Sequence, residues 1–177
     1  MDALEWKIVG DDILRIAVAA LLGGVLGFER EWKGHWAGLR THMMVSIGCA
    51  ILVISGLEVS GNQREAVTRV IQGIASGIGF LGAGTILKLD KKQEIKGLTT
   101  ASSIWLAAAL GTTAGLAQYG LAIASALISL FVLGVLGPLE KFFEQRQARH
   151  RKERDHADRL KTDRKLDNED DSESNSD

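Results

Sequence analysis

Apolar residues along this chain fall into five long runs separated by short polar punctuation. The first runs from about Ile13 to Phe28, with Arg15 one turn inside it. The second is Thr41 to Leu57, and the third is Val67 to Leu87, broken early by Arg69 and Gln72. The fourth is Leu98 to about Leu116, and the fifth is Tyr119 to about Gly137. A helix needs about 20 predominantly apolar residues to cross a bilayer. The pattern therefore predicts an all-α, polytopic bundle of five transmembrane helices over residues 1–137. Beyond it the pattern changes. Pro138 follows Gly137 and starts a new helix. Residues 138–166 read as a charged helix, amphipathic at first through Leu139, Phe142 and Phe143 and then solvated. Residues 167–177 are acidic and apolar-poor, and are expected to be disordered.

Small residues recur at helical spacing within the runs. Gly23 and Gly27, Gly73 and Gly77, Ala75 and Gly79, and Gly111 and Gly115 all fit the small-xxx-small spacing that lets helix backbones approach closely. The densest cluster is Gly77-Ile78-Gly79-Phe80-Leu81-Gly82-Ala83-Gly84. Its G-x-G-x-x-G pattern also suits a dinucleotide-binding turn, but that needs a preceding strand in an α/β domain. Inside a long apolar run, Gly77, Gly79, Gly82 and Gly84 are better read as backbone surface for helix packing. Glycine also weakens helices, so the helix can instead break there and expose backbone groups.

The formal net charge of −1 conceals segregation. The short connections after the first and third runs carry Arg30, Lys33 and Arg40, then Lys88, Lys91, Lys92 and Lys96. The C-terminal segment opens with Lys141, Arg146 and Arg149. By the positive-inside rule these face the cytoplasm, which puts the N-terminus outside and the C-terminus inside. The N-terminus lacks the basic region of a secretory signal peptide. Cys49 stands alone, so no intrachain disulfide forms.

Polar residues gather at the ends of the runs on the expected inner side. Glu29-Arg30-Glu31 closes the first. Arg40 and Thr41 open the second, and Thr99 and Thr100 open the fourth. Helix N-termini favour anions, so Glu29 is expected near Arg40 and the start of the second helix. Two readings stay open for Glu29, Arg30, Arg40, Thr41, Thr99 and Thr100: a ligand or partner site, or a structural ion pair with helix caps. Glu29 and Glu31 can meet a hydrated magnesium ion, usually held by one or two carboxylates, but they are a weak signal and no other cofactor is indicated. On the outer side, Asp12 and Arg15 form an i,i+3 pair that anchors the first helix. His35 and His42 have no metal-ligand spacing with Cys49, and no nucleophile set for enzymatic hydrolysis stands out. The sequence reads as a membrane protein and not as an enzyme, with a lipid bilayer and no nucleic acid as its partner.

At Gly23 to Arg30 (GGVLGFER), Ala37 to His42 (AGLRTH), Gly77 to Gly84 (GIGFLGAG) and Gly97 to Ala101 (GLTTA), followed by Trp105, the chain resembles the MgtC/SapB family of bacterial inner-membrane proteins. The match covers about residues 12–117. The resemblance implies a plasma-membrane protein linked to magnesium limitation, acid stress and, in pathogens, survival inside host cells. It also implies a modulator of other membrane proteins such as the ATP synthase or magnesium transporters, which can itself form homo-oligomers. The alternative is a small transporter or channel with a cytoplasmic-side vestibule. Many members carry a soluble ACT-like domain after the fifth helix. Here only a charged tail of about 40 residues follows, too short and polar for such a domain.

Overall fold

The computed structural model describes residues 3–61, 63–89 and 94–136. The helix expected over 138–166 and the tail over 167–177 lie outside the described residues. Five α-helices follow one another: α1 (Ala3–Trp32), α2 (Leu39–Ser60), α3 (Arg64–Gly84), α4 (Leu98–Gly115) and α5 (Tyr119–Phe131). Two of them, α2 and α3, are long and apolar enough to cross a membrane by length and composition. The chain divides into two units, Met1–Leu130 and Phe131–Asp177; of the second, the described part is a helical turn with a π-helical segment, Val132–Leu136.

The helix expected over Ile13 to Phe28 is longer than its apolar run. It extends N-terminally through Asp11 and Asp12 and reaches 30 residues, about 45 Å at 1.5 Å per residue. Charged residues end an apolar run without ending a helix: the cost of Asp inside a helix is only about 0.7 kcal/mol or less per residue, and Glu and Arg propagate helices nearly as well as Leu. The third helix stops at Gly84, short of the expected Leu87. A small antiparallel hairpin follows that the apolar pattern did not predict, β1 (Leu87–Leu89) paired with β2 (Glu94–Lys96), with Leu87 opposite Lys96.

Two glycines fix where helices turn. Gly61 caps the C-terminus of α2 at φ 57°, and its N–H bonds back to the Glu58 carbonyl. That left-handed conformation is the common C-terminal solution because glycine lacks the Cβ clash. Gly97 stands before α4 at φ 97°, and a Cβ there would strike the Thr85 carbonyl oxygen. The chain can therefore leave the hairpin and enter α4 only with glycine at this position.

Helices α1, α2 and α4 form the tightly packed part of the first unit, with α3 against α2 and α4. Their seam is built of small residues. Ala19, Ala50 and Ala114 are fully buried in one cluster. A Cβ on Gly23 would lie 2.7 Å from the His42 carbonyl oxygen, and one on Gly27 2.8 Å from Leu39 Cα. Further along the same stripe of α2, a Cβ on Gly111 would strike the Ser46 carbonyl, and one on Gly115 would lie 2.9 Å from that of Ala50. Backbone thus lies on backbone where α1 and α4 meet this stripe of α2. Ser46 is fully buried and donates across the seam to the Ala19 carbonyl at 2.7 Å. A second cluster, with Cys49, Val53, Ile74, Ile78, Ile104 and Ala108, joins α3 to α2 and α4 through side chains.

Candidate functional site

Where α1 ends and α2 and α4 begin, polar groups are buried together. The geometry follows from the seam: Gly27 lets the C-terminal turn of α1 lie against Leu39 and Gly38, so the first turn of α2 sits beside Glu29 and Arg30. Arg30 is 2% exposed and His42 is fully buried. The Glu29 carboxylate takes one cation from its own helix and one from the turn that follows it. Lys33 Nζ lies 2.5 Å from Oε1, close enough for an ion pair but not aligned as a hydrogen bond. Arg30 Nη1 lies 3.9 Å from Oε2. Oε2 and the Nε and Nη2 of Arg30 are buried without a hydrogen-bond partner among the described residues.

His42 links the two helix starts. Its Nδ1 is 2.8 Å from the Gly38 carbonyl, and its Nε2 is 3.0 Å from Ser103 Oγ. A carbonyl only accepts, so Nδ1 carries the proton. In the neutral ring Nε2 then accepts the Ser103 hydroxyl proton, which otherwise goes to the Thr100 carbonyl at 2.9 Å. Protonating His42 returns that hydroxyl to Thr100, so the ring's charge state is coupled to the first turn of α4. His42 and Ser103 were absent from the expected site. Their sequence signal was present as polar positions inside apolar runs, which are functional candidates in a membrane protein by default.

The expected residues divide. Glu29, Arg30 and Thr100 are in the buried cluster. Arg40, Thr41 and Thr99 are exposed. The pairing of Glu29 with Arg40 is corrected: Glu29 pairs with Lys33 and Arg30, and Arg40 makes no ion pair among the described residues. Lys33 is i,i+4 to Glu29 in the turn that closes α1, its N–H bonded to the Glu29 carbonyl, whereas Arg40 is exposed at the second position of α2. It is also Glu31, and not Glu29, that meets the start of α2, its Oε2 accepting the Leu39 N–H at 2.8 Å. Neither threonine caps α4; the N-cap is Gly97, with no side-chain hydrogen bond. Glu29 is thus turned to cations and Glu31 to a backbone amide. No group of three or more His, Cys, Asp or Glu suited to a metal occurs among the described residues.

In the N-terminal half of α1, Arg15 lies 3.8 Å from Asp12 and donates to the Gly115 carbonyl at 3.3 Å. The expected outer pair thus also clasps the last turn of α4, where a cation meets the negative end of the helix dipole.

The glycines of α3 lie differently from the reading given to them. A Cβ on Gly73, Gly77, Gly79 or Gly84 would meet nothing within 4 Å, and one on Gly82 would touch only Ala101, with its Cβ at 3.7 Å. The close approach belongs to Gly23, Gly27, Gly111 and Gly115. Along α3 the glycines leave two lateral grooves. One of about 390 Å³ runs between α2 and α3 past Cys49, Leu52, Gly73 and Gly77. The other, about 450 Å³, runs between α3 and α4 past Gly79, Ala83, Ser102 and Trp105.

Comparison with known proteins places these features in one family. The sequence model of the MgtC family matches residues 16–142. An uncharacterized protein of Synechocystis is 40% identical over 139 residues, 78% of this chain and 56% of that one. The MgtC protein of Brucella abortus is 40% identical over 144 residues, 80% of this chain and 58% of its own length. That of Salmonella typhimurium is 39% identical over 118 residues, 67% of this chain and 49% of its own. The chain therefore spans about half the length of these curated relatives. No solved structure matches it.

Proposed function

The chain belongs to the MgtC family, and on that premise we propose that it is a multi-pass protein of the bacterial inner membrane that modulates other membrane proteins under magnesium limitation or acid stress. The observation carrying this reading is the closed seam. Gly23 and Gly27 of α1, and Gly111 and Gly115 of α4, bring their backbones so close to α2 that a Cβ at any of them clashes. Such an interface has no room for a hydrated ion, whose passage needs a wet, polar lining. The open surface is lateral, along the grooves beside α3, which suits contact with lipid or with another protein's helices.

A membrane setting is supported by the tryptophans of α1. Trp6 near its start and Trp32 at its end are both exposed. They are about 39 Å apart along the axis, from 1.5 Å per residue. Tryptophan favours the two membrane interfaces, whose outer limits are about 40–45 Å apart. In this proposal all five helices cross, the N-terminus is outside, and the polar cluster faces the cytoplasm. The partners are membrane assemblies such as the ATP synthase or magnesium transporters, and a second copy of the chain.

The test pairs two measurements. In proteoliposomes the purified protein moves no magnesium, yet from membranes it co-purifies with a membrane partner, and its deletion impairs growth in low magnesium. The second reading, a small transporter, is favoured by the buried charges of Glu29 and Arg30. Magnesium flux in proteoliposomes, lost on Glu29→Gln, would replace the modulator with that reading.

A further inference from the structure

The face of α3 that points away from the other helices is the polar one. Its inward face carries Val67, Ile74 and Ile78, all buried. On the opposite side lie Glu65, Arg69, Gln72, Ser76, Gly79 and Ala83, every one of them exposed. Arg69, Gln72 and Ser76 make no side-chain hydrogen bond or ion pair among the described residues. On a helix in water that pattern is ordinary. On a helix that spans the membrane, as proposed above for α3, it is inverted. The helix has 21 residues, about 31 Å at 1.5 Å per residue. Gln72 then lies about 12 Å and Ser76 about 18 Å from its outer end, the latter close to the bilayer midplane. Arg69 is long enough to extend its charge toward the interface, but Gln72 is not. Polar side chains at such depth face protein or a wet cavity and pair with one another.

The composition of the face selects what covers it. Glu65 and Arg69 leave it neutral, so a partner of one charge gains nothing from it. An acid, a base and an amide in one row are complementary to themselves. The six positions are spaced 4-3-4-3-4, the seam of a left-handed helix pair. We propose that this face meets the same face of a second copy, α3 against α3, about a two-fold axis along the membrane normal. Both copies have one orientation in the bilayer, so the helices run parallel and equal positions meet. The Gln72 amide both donates and accepts, so the two amides bond to each other across the axis. Helical side chains lean toward the N-terminus, so Arg69 reaches back to the level of Glu65 in the second copy, and symmetry makes that pair twice. Toward the inner end, Ser76, Gly79 and Ala83 are small enough for the backbones to approach. The pairing rests on α3 being a membrane span, and gives the second copy named above its surface.

The experiment uses the full chain in its native membrane, with Cys49→Ala so that one introduced cysteine reports. Ser76→Cys, near the axis, should cross-link two copies on mild oxidation. Gly77→Cys, on the groove beside α2, should not. Energy transfer between two labelled populations in phosphatidylcholine liposomes then reads the dimer affinity. Gln72→Leu should weaken it roughly tenfold, the upper range of an interhelical hydrogen bond in a membrane. Arg69→Glu sets two acids on each face and should weaken it further. Adding Glu65→Arg exchanges the pair and should restore the dimer, which a role for Arg69 within its own chain would not. Should Arg69→Glu not insert, the cross-link and Gln72→Leu decide. Equal cross-linking at both positions, or an affinity unchanged by Gln72→Leu, overturns the pairing. Ser76→Cys that neither cross-links nor reacts with a water-soluble maleimide also overturns it, and leaves α3 standing as a span. Reaction of Ser76→Cys with that maleimide in a monomeric protein overturns the pairing and the closed span together, because the polar face then meets water.

Discussion

Gly23 and Gly27 on α1, Gly111 and Gly115 on α4, and Gly73 and Gly77 on α3 share one spacing and part company in space. The first four are pressed against α2, where a Cβ meets a backbone atom or a Cβ at 2.9 Å or less. The α3 pair meets nothing. What differs is the partner. Opposite the seam glycines, α2 presents the main chain of Leu39, His42, Ser46 and Ala50, and the small side chains of Ser46 and Ala50 let the backbones touch. Opposite α3 it presents Leu52 and Gly56. Gly56 receives the Val70 side chain, a Cβ there lying 2.9 Å from Val70 Cγ2. A side chain holds that interface apart, and the α3 glycines line the groove left beside it. A small-xxx-small pattern states that a helix can be approached closely; the opposite helix decides whether it is.

The largest expected effect breaks the seam. Gly111→Leu places a side chain where the Ser46 carbonyl stands, and a main-chain carbonyl in a helix cannot step aside alone. The cost should lie at or beyond the upper end of the roughly 1–3 kcal/mol typical of overpacking. Gly23→Leu should behave alike. The measurement is thermal unfolding in detergent together with the yield of monodisperse protein. A Gly111→Leu variant as stable as the wild type would mean the seam is not the packed core.

Next comes the polar end of the same seam. Glu29→Gln leaves Arg30 and Lys33 without their carboxylate. A tightly buried pair costs about 3–5 kcal/mol to break from one side. The 3.9 Å separation makes this pair looser, and about 2 kcal/mol is expected. Combining Glu29→Gln with Arg30→Met should cost less than the sum of the two single changes, because no buried cation is stranded. Additive losses in the double-mutant cycle would show that Glu29 and Arg30 act separately.

A smaller effect tests the hydrogen bond within the seam. Ser46→Ala removes the donor to the Ala19 carbonyl while keeping the volume close to constant. The carbonyl retains its helical partner, so the loss should be about 1 kcal/mol. A change in the denaturant slope, and not only in the midpoint, would show that α1 and α2 had separated in the native state.

Much of this was legible in the sequence. The five apolar runs became the five helices, because hydrophobic length and helical periodicity are local properties. The helix limits were less legible. Asp11 and Asp12 interrupt the apolar pattern inside α1 and hide its start at Ala3, and the hairpin between Leu87 and Lys96 is too short to impose an alternation. The site was half legible. Glu29, Arg30 and Thr100 were expected at the inner helix ends, while Arg40 was matched to Glu29 on charge and on its place at the start of the second helix. His42 and Ser103 needed the fold, because their meeting depends on how α2 and α4 cross. The role of Gly77, Gly79 and Gly84 was the least legible, since density of glycine in one helix carries no information about the helix opposite.

The smallest expected effect reverses the sign and sharpens the comparison most. At Gly77 a Cβ enters open space, so Gly77→Ala removes no contact and improves helix propensity. Glycine inside a helix is less favourable than alanine by roughly 0.5–1 kcal/mol. Gly77→Ala should therefore raise the unfolding midpoint slightly, and Gly73→Ala should do the same, whereas Gly111→Ala should lower it. The same substitution at the same spacing then stabilises one region and damages the other. If Gly77→Ala instead destabilises the purified protein, α3 is packed in solution against something at the groove, and the two regions are alike after all. Gly77→Leu separates stability from use. It should fold in detergent, since space is open, and growth of the deletion strain complemented with it in low magnesium reads whether the groove is occupied in the membrane. Normal folding with lost growth would assign the α3 glycines to contact with a partner helix. Normal folding with normal growth would leave the groove facing lipid.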